Sequence, residues 1–101
     1  MNQLTKNLKK RVMYMENKST GEARIGWVSF SKTGLSIYYK DKTFKRLKTR
    51  GVLGNYYCEE TDDEYWISGI KKRGSNALYE PITLHIDEDA LQEYKKIKNI
   101  K

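Results

Sequence analysis

Residues 24–39 read RIGWVSFSKTGLSIYY, and this stretch decides the fold class. Apolar side chains alternate with polar ones on either side of a serine-lysine-threonine-glycine turn, a pattern typical of two antiparallel strands joined as a hairpin. Val28 and Phe30 fall on one face of the first strand, and Ile25 and Trp27 fall on the other. Because both faces are apolar, we expect this strand to lie centrally in a sheet, with Trp27 in the core.

Two glycines within this stretch indicate local features of the backbone. Gly34 closes the turn and suits a positive φ angle, which other residues adopt at a cost. Gly26 interrupts the first strand and predicts a bulge or a close approach by another part of the chain. The hairpin should therefore contain one constrained turn and one crowded position.

Short alternating segments of the same kind continue on both sides of this hairpin. Turn clusters separate them, including the acidic turn 61–63, and Pro81 opens the last segment. The sequence therefore predicts a mainly β fold, a small antiparallel barrel or strongly bent sheet (SH3-like in size) with one C-terminal helix. Closure would remove the exposed edges that so short a sheet otherwise leaves. The strand-like segments are 12–15, 24–31, 35–39, 43–47, 55–60, 64–68 and 81–86.

The C-terminal segment has the charge pattern of a helix. Asp87 is an N-cap residue, acidic residues follow it, and lysines occupy the last turn, which suits the helix dipole. We expect a helix over residues 88–98 that packs on the sheet, preceded by a strand that turns Leu84 and Ile86 inward. The predicted buried stripe of the helix consists of Ala90, Leu91, Tyr94 and Ile97.

A chain of 101 residues suits one domain, and no linker or internal repeat divides it. We expect residues 1–10 to form a flexible basic N-terminal arm and residues 11–101 to form a single β-rich domain with the C-terminal helix. Cys58 is the single cysteine and His85 the single histidine, so an internal disulfide is excluded and no cofactor or metal is predicted. Neither a signal peptide nor a membrane span is predicted, so we expect a cytoplasmic protein without a membrane partner.

The net charge of +7 favours a polyanionic partner such as nucleic acid. The densest basic stretch outside the termini is the loop 69–76, whose cations suit phosphate groups. Basic residues are also frequent between positions 40 and 50, but the alternation of a strand predicts that they do not share one face. The predicted binding residues are Lys71, Lys72, Arg73, Ser75 and Asn76, with Trp66 as a base-stacking side chain.

Several short sequence motifs occur together in this chain, and the most specific of them is EYWISG at residues 64–69. The other motifs are 24–26, 28–34, 38–39, 71–76, 86–89 and 93–94, and with it they span most of residues 11–98. Together they resemble a family of small uncharacterised bacterial proteins of about this length. Some members of that family carry the name of an isoprenoid-pathway synthase that uses thiamine diphosphate. This chain lacks the glycine-aspartate-glycine cofactor motif and is too short to hold the cofactor, so no catalytic residue carries over.

The sequence does not assemble a nucleophile, a general base and an oxyanion donor, so we expect neither enzymatic activity nor a small-molecule substrate. The leading interpretation is a non-enzymatic binding module that contacts nucleic acid through basic loops. The alternative is a protein–protein interaction or inhibitor domain that presents a sheet face and the acidic hairpin tip at 59–64. The two differ in surface pattern, because nucleic-acid binding requires cations on one continuous face, whereas protein binding requires an apolar patch.

Overall fold

The computed structural model describes residues 9–47, 54–72 and 83–98, and it confirms the predicted mainly β class with one C-terminal helix. A 3-10 turn at Glu88–Ala90 leads into helix α1 (Leu91–Lys98), so the helical segment begins and ends where the sequence predicts. The strands in these residues are β1 (Lys10–Asn17), β2 (Glu22–Phe30), β3 (Ser36–Tyr39), β4 (Lys42–Arg46), β5 (Tyr56–Cys58), β6 (Glu64–Gly69) and β7 (Thr83–Ile86).

Strands β1 to β6 close into an antiparallel barrel. Each pairs with the next along the chain, and β1 also pairs with β6, which completes the circle. Strand β2 is central, as predicted, because it pairs with β1, β3 and β7. The last strand departs from the predicted antiparallel arrangement, since β7 lies parallel to β2, with Thr83 opposite Glu22 and Ile86 opposite Ile25. Parallel pairing requires a crossover connection rather than a hairpin, and β2 and β7 are far apart in the chain.

The alternation of side chains in β1 divides the apolar residues between two cores. Met13 and Met15 point into the barrel, whereas Val12 and Tyr14 point outward. The barrel interior is closely filled, and Phe44, Ile37 and Cys58 in it are almost completely buried. Its other buried members are Val28, Tyr39, Tyr56 and Ile67.

The 3-10 turn and helix α1 build the second core on the outer face of β1 and β2. Ala90 is fully buried there, and Tyr94 and Ile97 pack against the cluster that contains Val12. Residues spaced by four and three positions share one face of a helix, so the stripe runs through positions 90, 94 and 97. Leu91, predicted to belong to this stripe, lies beside it, half-buried and outside the cluster.

Two further predictions about apolar residues are wrong. Trp27 is 38% exposed, and its indole N–H donates a hydrogen bond to the Asp89 carbonyl at 2.9 Å. A large ring with one polar atom suits such a half-covered position at the margin of a core. Leu84 is 46% exposed because β7 flanks the barrel and has a single described neighbour, β2.

Gly26 marks the place where β2 changes partners. Residues 22–25 of the strand pair with β7, and its last two residues pair with β3. A Cβ at Gly26 would lie 2.7 Å from Cε1 of Tyr39 and closer still to the Asp87 carboxylate. The predicted close approach is therefore confirmed, and side chains rather than backbone make it.

The Asp87 carboxylate links the elements that meet at this position. It accepts hydrogen bonds from the Tyr39 hydroxyl at 2.5 Å and from Arg24 Nη1 at 3.0 Å, and Lys40 Nζ lies 3.5 Å away. The Asp87 carbonyl accepts the Ala90 amide at 3.0 Å, but the side chain makes no capping hydrogen bond. The predicted N-cap residue therefore begins the helix through its backbone, because its side chain is engaged elsewhere.

The surroundings of Asp87 keep it ionised. Burial raises the pKa of the Asp87 carboxyl, but the hydrogen bonds from Tyr39 and Arg24 and the charge of Lys40 together outweigh burial, so its pKa lies below the ordinary value. Burial and the hydrogen bond to Asp87 raise the pKa of Tyr39, so the phenol remains a donor. The network therefore holds one negative charge between two basic side chains.

The sheet extends into the segment predicted as an N-terminal arm. Strand β1 begins at Lys10, and the Phe30 amide donates to the Lys9 carbonyl at 2.9 Å. The rest of that arm, and Pro81 at the predicted start of the last strand, lie outside the described residues.

Candidate nucleic-acid interface

The connections of an antiparallel barrel alternate between its two rims. The rim where β1 begins therefore contains the β2–β3 turn, the end of β4, the start of β5 and the end of β6. The β1–β2, β3–β4 and β5–β6 turns meet at the opposite rim. Residues that are distant in sequence are thus gathered at two surfaces, and these two surfaces differ in charge.

The rim where β1 begins, which we call the basic rim, carries no acidic residue at its described positions 9–11, 30–36, 46–47, 54–56 and 69–72, although the Glu64 carboxylate reaches it and accepts the Gly54 amide. A surface with a large excess of positive charge creates a positive potential that attracts polyanions. Seven basic residues occupy the basic rim: Lys9, Lys10, Arg11, Lys32, Arg46, Lys71 and Lys72.

The opposite rim, which we call the acidic rim, comprises positions 16–22, 40–42 and 59–64. The Glu60 carboxylate there accepts the Thr43 amide at 2.9 Å, and this hydrogen bond lowers the pKa of Glu60. The acidic rim carries three lysines, Lys18, Lys40 and Lys42, and seven acidic residues whose carboxylates belong to it: Glu16, Glu22, Asp41, Glu59, Glu60, Asp62 and Asp63. Glu64 is not counted, because its carboxylate accepts the Gly54 amide of the basic rim. Charge is therefore separated along the barrel axis.

A groove of about 380 Å³ opens on the basic rim between the start of β1 and the β2–β3 turn. Three cations line it, namely Lys9, Arg11 and Lys32, and none of them forms an ion pair with a carboxylate in the described part of the chain. Phe30 provides the apolar part of the wall. The lining is completed by Ser31, Thr33 and Gly34.

The β2–β3 turn that forms one wall of this groove is held by its own hydrogen bonds. Gly34 adopts the predicted positive φ, at 77°, and its amide donates to the Ser31 carbonyl at 2.9 Å. The Ser31 hydroxyl accepts the Ser36 amide at 3.0 Å. The amides of Lys32 and Thr33 donate to no acceptor among the residues the structure describes. A fixed turn with two available amides beside three cations is suited to an oxyanion such as a phosphate.

Arg11 connects the groove with the sequence-predicted lysines. A Cβ on Gly69 would lie 3.4 Å from Arg11 Nη2, so the guanidinium lies against the end of β6. Lys71 and Lys72 follow Gly69 closely, and both are exposed. The fold therefore places two of the predicted binding residues on the same rim as the groove.

Trp66 is not brought together with these lysines. It pairs with Glu16 at the acidic-rim end of β1, and its ring packs half-buried against the outer core beneath helix α1. A tryptophan in this position contributes to the fold, so we leave it out of the interface. Arg73, Ser75 and Asn76 lie outside the described residues, and their role stays a prediction.

Sequence reasoning missed the groove. It assigned Lys9 to an arm and interpreted residues 31–34 as a turn without ligand contacts. The missing signal was the alternation of connections between rims, which groups the start of β1 with the β2–β3 turn and the end of β6. Of the basic residues between 40 and 50, Lys40 and Lys42 lie on the acidic rim and Arg46 lies on the basic rim, a division between rims that the sequence did not predict.

No group of three or more histidine, cysteine, aspartate or glutamate side chains among the described residues is placed to hold a metal ion. The groove lining offers cations, hydroxyls and amides, but no carboxylate, imidazole or thiol that would act as a general base. Within the described ranges, no helix is long and apolar enough to span a bilayer.

Fold and surface together define a small closed β-barrel domain with an external helix and two rims of opposite charge. Comparison of the chain with protein-family models, with curated proteins and with solved structures finds no match. The family resemblance carried by residues 64–69 therefore stays a prediction, and function is inferred from geometry.

Proposed function

We propose that the protein is a non-enzymatic binding module that holds the phosphate backbone of a nucleic acid across its basic rim. The observation that carries the proposal is the separation of charge: seven basic residues and one carboxylate, that of Glu64, in the described part of one rim, against seven acidic residues and three lysines at the other. A polymer with a phosphate at every nucleotide matches cations distributed over a rim better than a small anion does.

The groove supplies contacts of the kind that position a nucleic-acid backbone. Lys9, Arg11 and Lys32 neutralise phosphates, and the amides of Lys32 and Thr33 add uncharged donors. Phe30 is partly covered by the barrel core, so it offers an apolar edge rather than an open stacking platform. These groups contact the sugar-phosphate backbone of the nucleic acid and not its bases, and we therefore expect binding with little sequence preference.

A pair of matched double variants tests the proposal. Lys9→Gln with Lys32→Gln removes two charges from the groove, and Lys40→Gln with Lys42→Gln removes two charges from the acidic rim. On a 20-base-pair duplex and on a 20-nucleotide single strand, the slope of log affinity against log salt should shrink by about 1.5–2 for the groove pair. The control pair should leave the slope nearly unchanged. Titration between 50 and 200 mM salt, followed by fluorescence anisotropy, measures both slopes.

A second pair extends the test to the sequence-predicted residues. Lys71→Gln with Lys72→Gln should weaken binding in the same way, because both side chains lie on the basic rim. If the wild-type protein binds neither nucleic acid at 50 mM salt, or if the control pair reduces the slope as much as the groove pair, the proposal is wrong.

The rival function, a protein-interaction or inhibitor domain, has its own support in the acidic rim. The β5–β6 turn projects four exposed residues, 59–62, of which three are acidic, and these suit a basic protein surface. Capture from lysate with and without nuclease separates the two functions. A partner that survives nuclease treatment and is lost on reversal of Glu59 and Asp62 to lysine would favour the rival.

A further inference from the structure

The mouth of the barrel at the acidic rim contains a pocket of about 360 Å³. The pocket exists because β2 pairs with β3 only through its last two residues, whereas residues 22–25 pair with β7. The β3–β4 hairpin therefore diverges from β2 on the N-terminal side of Gly26. The open mouth of a β-barrel is a common place for a small-molecule site, and this volume lies at the lower end of the usual range. The pocket lies at the rim opposite the groove and is independent of the proposed nucleic-acid interface.

The floor of this pocket is apolar and aromatic. Met15 and Phe44 belong to the barrel interior, and Tyr65 packs against that cluster. The rings of Phe44 and Tyr65 have centroids 4.7 Å apart and are tilted by 54°, so the almost completely buried Phe44 fixes the half-buried ring of Tyr65. A flat apolar body can pack against the exposed part of the Tyr65 ring and exclude water from it.

Cations border the pocket where its wall is polar. Arg24 is fixed by the hydrogen bond from Nη1 to Asp87 and also interacts with Tyr39, and its five-donor guanidinium keeps further N–H groups for a ligand. Lys40 and Lys42 also line the pocket, and Lys40 Nζ lies 3.5 Å from the same Asp87 carboxylate. Two acidic residues, Glu22 and Asp41, also line the pocket, but both are exposed, and the Asp41 side chain is 90% exposed. The carboxylates therefore face solvent, while the guanidinium is held by the fold.

The geometry points to a second binding site, which takes a small-molecule carboxylate with a flat aromatic body. The aromatic body packs against Tyr65, over the buried side chains of Met15 and Phe44, and the carboxylate accepts hydrogen bonds from Arg24, while Lys42 in the same lining adds its charge. An arginine fork held in place by a buried carboxylate is suited to recognition of a second, planar carboxylate.

Three probes that share one aromatic ring system but differ in net charge test this inference. Indole-3-acetate, 3-methylindole and tryptamine share the indole ring and differ in charge. Indole-3-acetate should bind about tenfold more tightly than tryptamine, because hydrogen bonds to charged groups favour the anion. Chemical-shift perturbation in ¹H–¹⁵N spectra gives the affinities and should map to Arg24, Phe44 and Tyr65. Absence of binding by all three probes at millimolar concentration would overturn the inference, as would equal binding of the anion and the cation.

Two variants and a control identify the residues responsible. Arg24→Gln should abolish the preference for indole-3-acetate, and Lys42→Gln should reduce it about twofold to threefold, in keeping with a partly exposed charge. Lys42 serves as the second variant because its nearest carboxylate, on Asp41, is 3.9 Å away, so the fold does not depend on it. Lys95→Gln on the exposed face of α1 removes the same charge elsewhere and should leave all three affinities unchanged. A preference that survives in both Arg24→Gln and Lys42→Gln would contradict the assigned site.

Discussion

Asp87 illustrates how one residue can connect three elements of this fold. It follows β7, begins the helical segment, and binds the ends of β2 and β3 through Arg24 and Tyr39. The space for its carboxylate exists because position 26 is glycine, whose missing side chain Asp87 and Tyr39 replace. The sequence indicated a cap at position 87 and a crowded position at 26, but not that the two observations describe the same contact.

The ionisation of Asp87 predicts how stability depends on pH. A carboxyl whose pKa is lower in the folded than in the unfolded state stabilises the fold above the unfolded pKa, and this contribution is lost as pH falls through the folded pKa. Asp87→Asn keeps an acceptor for Tyr39 but removes the charge that faces Arg24 and Lys40. At pH 7 the variant should be about 1.5–2 kcal/mol less stable, since one partner is half-exposed and the hydrogen bonds are to a charged group.

Urea unfolding of the wild-type protein and Asp87→Asn between pH 7 and pH 2.5 measures this contribution. The difference in free energy of unfolding should stay constant down to about pH 4.5 and narrow below the ordinary aspartate pKa of about 3.9. A difference that stays constant down to pH 2.5 would show that the charge of Asp87 does not stabilise the fold.

The secondary-structure elements could be predicted from local sequence patterns, but their long-range arrangement could not. Alternation and turn residues predicted the hairpin of β2 and β3, and the charge gradient predicted the helix over residues 88–98. The parallel docking of β7 on β2 was missed because nothing local distinguishes a parallel from an antiparallel partner. Leu84 was misassigned for the same reason, since its exposure depends on which neighbours β7 has.

The helix offers a test of which face is buried. Tyr94 packs against the outer core, whereas Leu91 lies outside it, although both fit an apolar helical stripe in the sequence. Tyr94→Ala should therefore cost about 2–3 kcal/mol of unfolding free energy, and Leu91→Ala should cost less than about 1 kcal/mol. Chemical denaturation of the two variants compares them directly. The reverse order of the two losses would mean that the helix is rotated relative to the sheet.

The separation of charge between two rims is a property of the whole molecule and not of any single segment. The basic and acidic rims are each assembled from at least three separate parts of the chain, so neither is visible as a run of charges. Lys71 and Lys72 could be predicted because they are adjacent, whereas Lys9, Arg11 and Lys32 were missed because only the pairing of separate strands, here of β1 with β2, brings them together. The pocket at the acidic rim was missed for the same reason.

Mapping of the bound surface tests whether the basic rim binds a nucleic-acid backbone. A ¹⁵N-labelled sample at 50 mM salt is titrated with a 12-nucleotide single strand, and amide shifts are followed for every assigned residue. We expect the largest changes at Lys32, Thr33 and Gly34 and at residues 9–11 and 71–72, with none at residues 59–63. Shifts concentrated in 59–63, or no shifts at any residue, would contradict it.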